Sequence, residues 1–247
     1  MTPVVLEWDS DFFGFPVART DWSGNLSEIA EAIADARKIN VTLLYVFAPP
    51  NAAPPASILN NVISVFTCQR VELEKGLTDA PNLREERESI VALTEINCNV
   101  EEISELGVIA GSHSRFMCDP MIPRTIGERL FRIWAENSLR GILADASFGY
   151  LSDTRIMGFV SVRRQERAGR ITLIAVRPEV RGKGIGSRLV RAAESYVAAT
   201  GGDKITVATQ GHNEPALGLY RSSGYKELAR SRVWHVWLKP PSWNTMA

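Results

Sequence analysis

Residues 171–200 read ITLIAVRPEVRGKGIGSRLVRAAESYVAAT, and this stretch decides the fold. Ile171 to Ala175 are apolar or β-branched and too few for a helix, which predicts a buried strand. Val176-Arg177-Pro178 ends it, because proline brings no N–H to a sheet ladder and fixes its own φ. Gly182, Gly184 and Gly186 follow at alternate positions, and then a helical pattern begins. Ile185, Leu189, Ala193, Tyr196 and Val197 fall on one face, with Arg188, Arg191, Glu194 and Ser195 on the other. The local order is therefore strand, glycine-rich turn, helix. Such a turn reaches positive φ and admits a ligand where a Cβ would obstruct it. The helix it opens presents unpaired N–H groups and the positive end of its dipole, which suits a pyrophosphate, while a plain tight turn fits the glycines equally well. Arg181 and Lys183 add charge beside it.

The spacing excludes two familiar phosphate loops. No Gly-x-x-x-x-Gly-Lys-Ser/Thr occurs here, and the three glycines do not make Gly-x-Gly-x-x-Gly. A second segment lies downstream. Lys204–Gln210 alternates and is β-branched, so it reads as a strand. Asn213-Glu214-Pro215-Ala216 then opens a helix, with Pro215 in its first turn and Asn213 or Glu214 near its cap. Gly224 closes that helix.

Arg181, Gly184 and Gly186 fill the Arg/Gln-x-x-Gly-x-Gly/Ala signature, which resembles motif A of the GCN5-related N-acetyltransferases (GNAT). Asn213, Ala216, Tyr220, Gly224 and Tyr225 resemble motif B of the same family. The resemblance implies an α/β (α+β) GNAT fold, a central mixed twisted sheet flanked by helices, and acetyl-CoA as co-substrate. It implies that Ala175, Val176, Arg181, Gly182, Lys183, Gly184, Ile185, Gly186, Ser187, Asn213 and Tyr220 bind the coenzyme, with Tyr220 as general acid.

Composition sets the outer limits. At 247 residues the chain suits one large domain or two modest ones. Lys+Arg and Asp+Glu number 28 each, so no global field favours nucleic acid or anionic lipid, and attraction for a phosphorylated ligand must be local. Three cysteines without a Cys-x-x-Cys make a zinc site or disulfide framework unexpected and fit a reducing cytoplasm. No metal requirement is expected. No apolar run is long enough to span a membrane, and Glu7, Asp9 and Asp11 argue against a basic leader.

From the start of the chain, Leu6–Asp11 alternates, and we expect a short strand, an aromatic turn and a second strand. Asn25–Lys38 reads as a helix with Asn25 and Glu28 at capping-box spacing and Leu26 in its apolar stripe. Val41–Phe47 and Ser64–Lys75 read as strands, and Ser57–Val62 as a short helix after a proline loop. Gly76–Glu88 is polar and reads as a linker, which divides the chain into a smaller N-terminal α/β domain, 1–85, and the GNAT domain, 86–247. Ile90–Ile96 reads as a strand, Val100–Ser112 and Thr125–Leu139 as helices, Gly141–Leu151 and Arg155–Arg163 as paired strands, and Val233–Leu238 as the last strand.

Both halves are similar to TDP-fucosamine acetyltransferases through Leu6-Glu7-Trp8-Asp9-Ser10-Asp11-Phe12-Phe13-Gly14, Ser114-Arg115-Phe116, Phe131-x-x-Trp134-x-x-Asn137-Ser138 and Val207-Ala208-Thr209-Gln210. That resemblance implies a nucleotide-linked 4-amino-4,6-dideoxy sugar as acceptor. Arg115, Phe116 and Trp134 are the candidate acceptor residues, Arg115 because a guanidinium matches phosphate oxygens. Trp134 could stack on a base or sugar ring, but its place on a helical apolar face favours the core. Arg132 and Arg155 are weaker candidates for a diphosphate, and no residue stands out as general base. A homodimer is compatible with the sequence. A protein N-terminus or other small amine as acceptor, or a non-catalytic acetyl-CoA sensor, remains open.

Overall fold

The computed structural model describes residues 2–52, 62–77, 90–96, 98–241 and 243. Ten strands are described: β1 (Val4–Val5), β2 (Val17–Asp21), β3 (Leu43–Ala48), β4 (Ile63–Gly76), β5 (Ile90–Ala92), β6 (Ala146–Ser152), β7 (Arg155–Gln165), β8 (Ala168–Val176), β9 (Lys204–Gln210) and β10 (Lys226–Trp237). The α-helices are α1 (Glu7–Phe13), α2 (Leu26–Lys38), α3 (Val100–Gly111), α4 (Arg124–Leu139), α5 (Ile185–Ala199) and α6 (Glu214–Ser222). All ten strands form one mixed sheet in the order β1-β2-β3-β10-β4-β9-β8-β7-β6-β5. Only the β2–β3 and β8–β9 pairs are parallel.

β4 lies between β9 and β10. The sheet thus runs without a break through strands from both sides of residue 85. That expected boundary, residues 57–61 of the expected helix Ser57–Val62 and residues 78–88 of the expected linker lie outside the described residues.

Alternation along the strands divides the core. On one face Tyr45, Val233 and Trp237 meet Phe13 of α1, Leu106 of α3 and Leu130 and Phe131 of α4. On the other, Val71, Leu73, Ile205 and Val207 meet Leu189, Ala193 and Val197 of α5 and Leu217 and Tyr220 of α6. Further along that second face, Leu44, Val46, Trp234 and Val236 meet Ile29 and Ile33 of α2.

Four readings need correction. Residues 7–13 are a helix, not a strand: Glu7 and Asp9 occupy its first turn, and Gly14 at φ 75° closes it. Its aromatics are placed by helical spacing, with Trp8 and Phe12 stacked at 5.4 Å between centroids. Glu194 is fully buried rather than solvated, because Lys75 of β4 meets it at 2.8 Å. Leu26 is exposed, and Asn25 caps α2 through Ser27 N–H while Glu28 accepts from Ser23 Oγ, so no reciprocal box forms. Finally, β5 stops at Ala92, where a 3-10 turn over Leu93–Glu95 begins.

Candidate active site

The site begins where two parallel strands part. β8 and β9 are paired from Ala168/Lys204 to Ile171/Val207. Beyond that, residues 172–176 and 208–210 have no register partner across the gap, and the backbone groups of one strand edge are left for a ligand. Arg177 anchors the end of β8: its side chain is buried, donates to Ile156 O at 3.0 Å and meets Glu105 of α3 at 2.7 Å.

Below this opening lies the glycine turn. Gly182 and Gly184 sit at φ 77° and 75°, a region that L side chains avoid, and Gly184 caps α5. A Cβ at either position would meet nothing within 4 Å. It is backbone conformation that favours glycine there, and the space above is open. Gly186 is different, since its Cβ would lie 3.2 Å from Leu219. The first bond of α5 runs from Arg188 N–H to Gly184 O at 3.2 Å. The N–H groups of Ile185, Gly186 and Ser187 therefore have no partner within the helix. Arg181 Nε donates to Val176 O at 3.1 Å, fixing the turn to the end of β8.

One cavity is lined by Ala175, Val176, Arg181, Gly182, Gly184, Ile185, Gly186, Ser187 and Asn213, with His113 of the segment after α3 on its wall. Lys183 does not line it. Burial, then the nearby His212 and Arg181 charges, pulls the His113 pKa below the ordinary imidazole value. No sequence signal singled out His113. Asn213 is the N-cap of α6, accepting from Ala216 N–H at 3.3 Å and donating to Thr209 Oγ1 at 3.3 Å.

A second cavity adjoins the first. Arg115, Phe116, Trp134 and Tyr220 all line it, so residues more than a hundred positions apart in sequence come together. Ala110, Ile174, Asn213 and Ala216 line both cavities, and the two meet at the opened strands. Tyr220 is 2% exposed. Burial raises its phenol pKa far above the ordinary value, so it stays protonated. The Arg115 guanidinium lies 4.3 Å from the Tyr45 ring centroid and 4.5 Å from that of Phe116, and its Nε has no partner. Trp134 contacts Phe131 and Phe116 at 5.2 and 5.9 Å. Arg132 and Arg155 do not line either cavity and are engaged by Glu101 and by Glu102 and Glu179.

Cys68 and Arg70 of β4 and Arg170 of β8 also line the second cavity and were not singled out by sequence reasoning. Burial pushes the Cys68 thiol up to about 11, which makes it unreactive. Behind this wall His235 is fully buried, and its Nδ1–H donates to Asp119 Oδ2 at 2.6 Å. Burial outweighs that bond and holds the imidazole down at about 4. Neither residue lines either of these two cavities. Among the described residues no cluster of metal-ligating side chains occurs, and no helix is long and apolar enough to cross a membrane.

A parallel pair that parts above a glycine-lined helix N-terminus is the arrangement that the resemblance to GNAT acetyltransferases implies. Residues 118–225 match the acetyltransferase (GNAT) family. Among curated relatives it is 25% identical over 139 residues to the spore coat polysaccharide biosynthesis protein SpsD of Bacillus subtilis, covering 56% of this chain and 48% of SpsD. It is 27% identical over 104 residues to the mycothiol acetyltransferase of Clavibacter michiganensis, covering 42% of this chain and 32% of that protein. The chain thus spans about half of the first relative's length and a third of the second's. Among solved structures, a functionally unknown conserved protein from Staphylococcus epidermidis aligns at TM-score 0.61 with 12% identity, over 90% of this chain and 82% of that one. A tandem GNAT protein from the clavulanic acid biosynthesis pathway aligns at 0.54 with 17% identity, over 91% and 76%. At these identities the two structures speak for the fold alone.

Proposed function

We propose that the chain is an acetyl-CoA-dependent N-acetyltransferase whose acceptor is a nucleotide-linked 4-amino-4,6-dideoxy sugar. The observation that carries the reading is the junction of the two cavities at Ile174, Asn213 and Ala216, with Tyr220 in the wall. A ligand gripped by the glycine turn and extended along β8 reaches the place where an acceptor would lie. The resemblance to sugar-nucleotide acetyltransferases and the likeness to a polysaccharide biosynthesis protein support the sugar as acceptor. Residues 1–85 are proposed as the acceptor-side unit, since Cys68 and Arg70 of β4 face that cavity.

The open φ-positive turn and the free N–H groups of residues 185–187 suit a pyrophosphate, and the exposed edge of β8 suits an amide-bearing arm. When bound, acetyl-CoA supplies the activated acyl group. Ala175 and Val176 would hold that arm at the strand edge, and Arg181, Gly182 and Gly184 to Ser187 would hold the phosphates. Orientation of the two reactants in one junction replaces a bimolecular encounter. Tyr220, kept protonated by burial, holds the proton for the departing thiolate. Arg115, Phe116 and Trp134 bound the acceptor's side. The test is release of free CoA thiol from acetyl-CoA with a panel of TDP-linked amino sugars, free amines and peptides. Turnover confined to the nucleotide sugars is expected. Turnover on peptides with silence across the sugars would overturn the acceptor.

A further inference from the structure

We propose that Arg70 and Arg170 form a subsite for the phosphoryl oxygens of a nucleoside diphosphate carrying the acceptor amine. This rests on the acceptor cavity identified above and extends it to a charge requirement. The cavity, about 250 Å³, is lined by three guanidinium groups, Arg70, Arg115 and Arg170, and by no Asp, Glu, Lys or His.

Register puts two of these arginines on one side of the sheet. Arg170 of β8 pairs with Thr206 of β9, and Arg70 of β4 pairs with Gln210. Positions 206, 208 and 210 share a face, so both side chains rise over the same side of β9. Glu72, opposite Ala208, lies between them and bridges to Arg70. Arg170 has no hydrogen-bond or ion-pair partner among the described residues. Its proton affinity is lowered first by burial and then by the Arg70 charge, with Glu72 opposing. Asp9 feels the Arg115 charge but does not line the cavity. Two peripheral carboxylates therefore face three guanidinium groups, and the lining itself carries only positive charge.

Arg170 is half-buried and lacks an ion-pair partner, and a cation partly withdrawn from water in this way is costly and is matched by a ligand's anion. Planar guanidinium groups suit phosphate oxygens. Arg70 also lines a neighbouring groove with Arg19, Phe47, Glu72 and Arg230, so a ligand extending past Arg70 has room to continue. The same charge bears on the amine. No imidazole or carboxylate lines the cavity to take its proton, and a cationic lining favours the neutral amine. Lysine side chains and polyamines, which bring positive charge only, are disfavoured.

The test compares acceptors that differ only in the anion. A nucleoside diphosphate-linked amino sugar, the 1-O-methyl glycoside of that sugar, and an amino-uronic acid methyl glycoside are assayed with wild type, Arg170→Gln and Arg170→Lys. Loss of one charge-assisted contact is expected to reduce the preference for the diphosphate over the methyl glycoside by about 10- to 100-fold in Arg170→Gln, chiefly through KM, with part of it kept in Arg170→Lys. Equal losses on both acceptors, or no preference in wild type, would overturn the subsite. Arg170 dependence with the uronic acid and not the diphosphate would overturn the diphosphate in favour of a carboxylate. If no sugar is acetylated, the functional reading fails, and the subsite is tested separately by calorimetry with TDP. Binding by wild type that weakens about tenfold or more in Arg170→Gln supports it, and absence of TDP binding by wild type refutes it.

Discussion

Tyr220 shows how one residue's chemistry follows from its surroundings. It packs against Tyr225 at 5.6 Å between centroids, and burial alone holds its proton. Removing the hydroxyl should leave that packing and remove the donor. Tyr220→Phe is therefore expected to lower kcat by about 10²- to 10⁴-fold, the usual contribution of a positioned acid, with coenzyme binding retained by calorimetry. Unchanged kcat would take Tyr220 out of the reaction. Motif spacing named this residue, but its neighbours in the cavity were only partly legible. Arg115 and Phe116 were named by resemblance. Arg70 and Arg170 were not, because an arginine on an alternating strand has the same local pattern whether it faces solvent or a ligand.

At the scale of elements, the contact between β4 and α5 links the N-terminal segment to the coenzyme helix. Glu194 is fully buried on α5, and Lys75 of β4, 27% exposed, is its ion-pair partner at 2.8 Å. Losing the lysine would strand a carboxylate in the core. Lys75→Met is expected to destabilise the fold by about 3 kcal/mol, with much of the loss recovered in the Lys75→Met, Glu194→Leu pair. Denaturant midpoints of the three variants check this, and a neutral Lys75→Met would contradict it. Helical periodicity assigned Glu194 to the polar face because the face covering it comes from a strand 119 residues away. The same limit hid α1. The Glu-Trp-Asp-Ser-Asp alternation looks extended, and the deciding features are the Gly14 cap and the Trp8–Phe12 stack. Where a motif fixes local geometry, sequence sufficed: the glycine turn opens α5, and Asn213, one of two residues expected near the cap of α6, is its N-cap.

Over the whole molecule, one sheet carries both cavities, and the break in pairing after Ile171/Val207 joins them. The order of strand, glycine turn and helix made the second half readable. That β4 enters the sheet between β9 and β10 was not readable, since antiparallel partners over a hundred residues apart leave no local mark. The most direct test is a crystal structure with coenzyme A bound. The pyrophosphate is expected on the N–H groups of residues 182–187, and the thiol at the junction of Ile174, Asn213 and Ala216, facing Tyr220. A coenzyme seated elsewhere, or a thiol pointing away from that junction, would contradict the account.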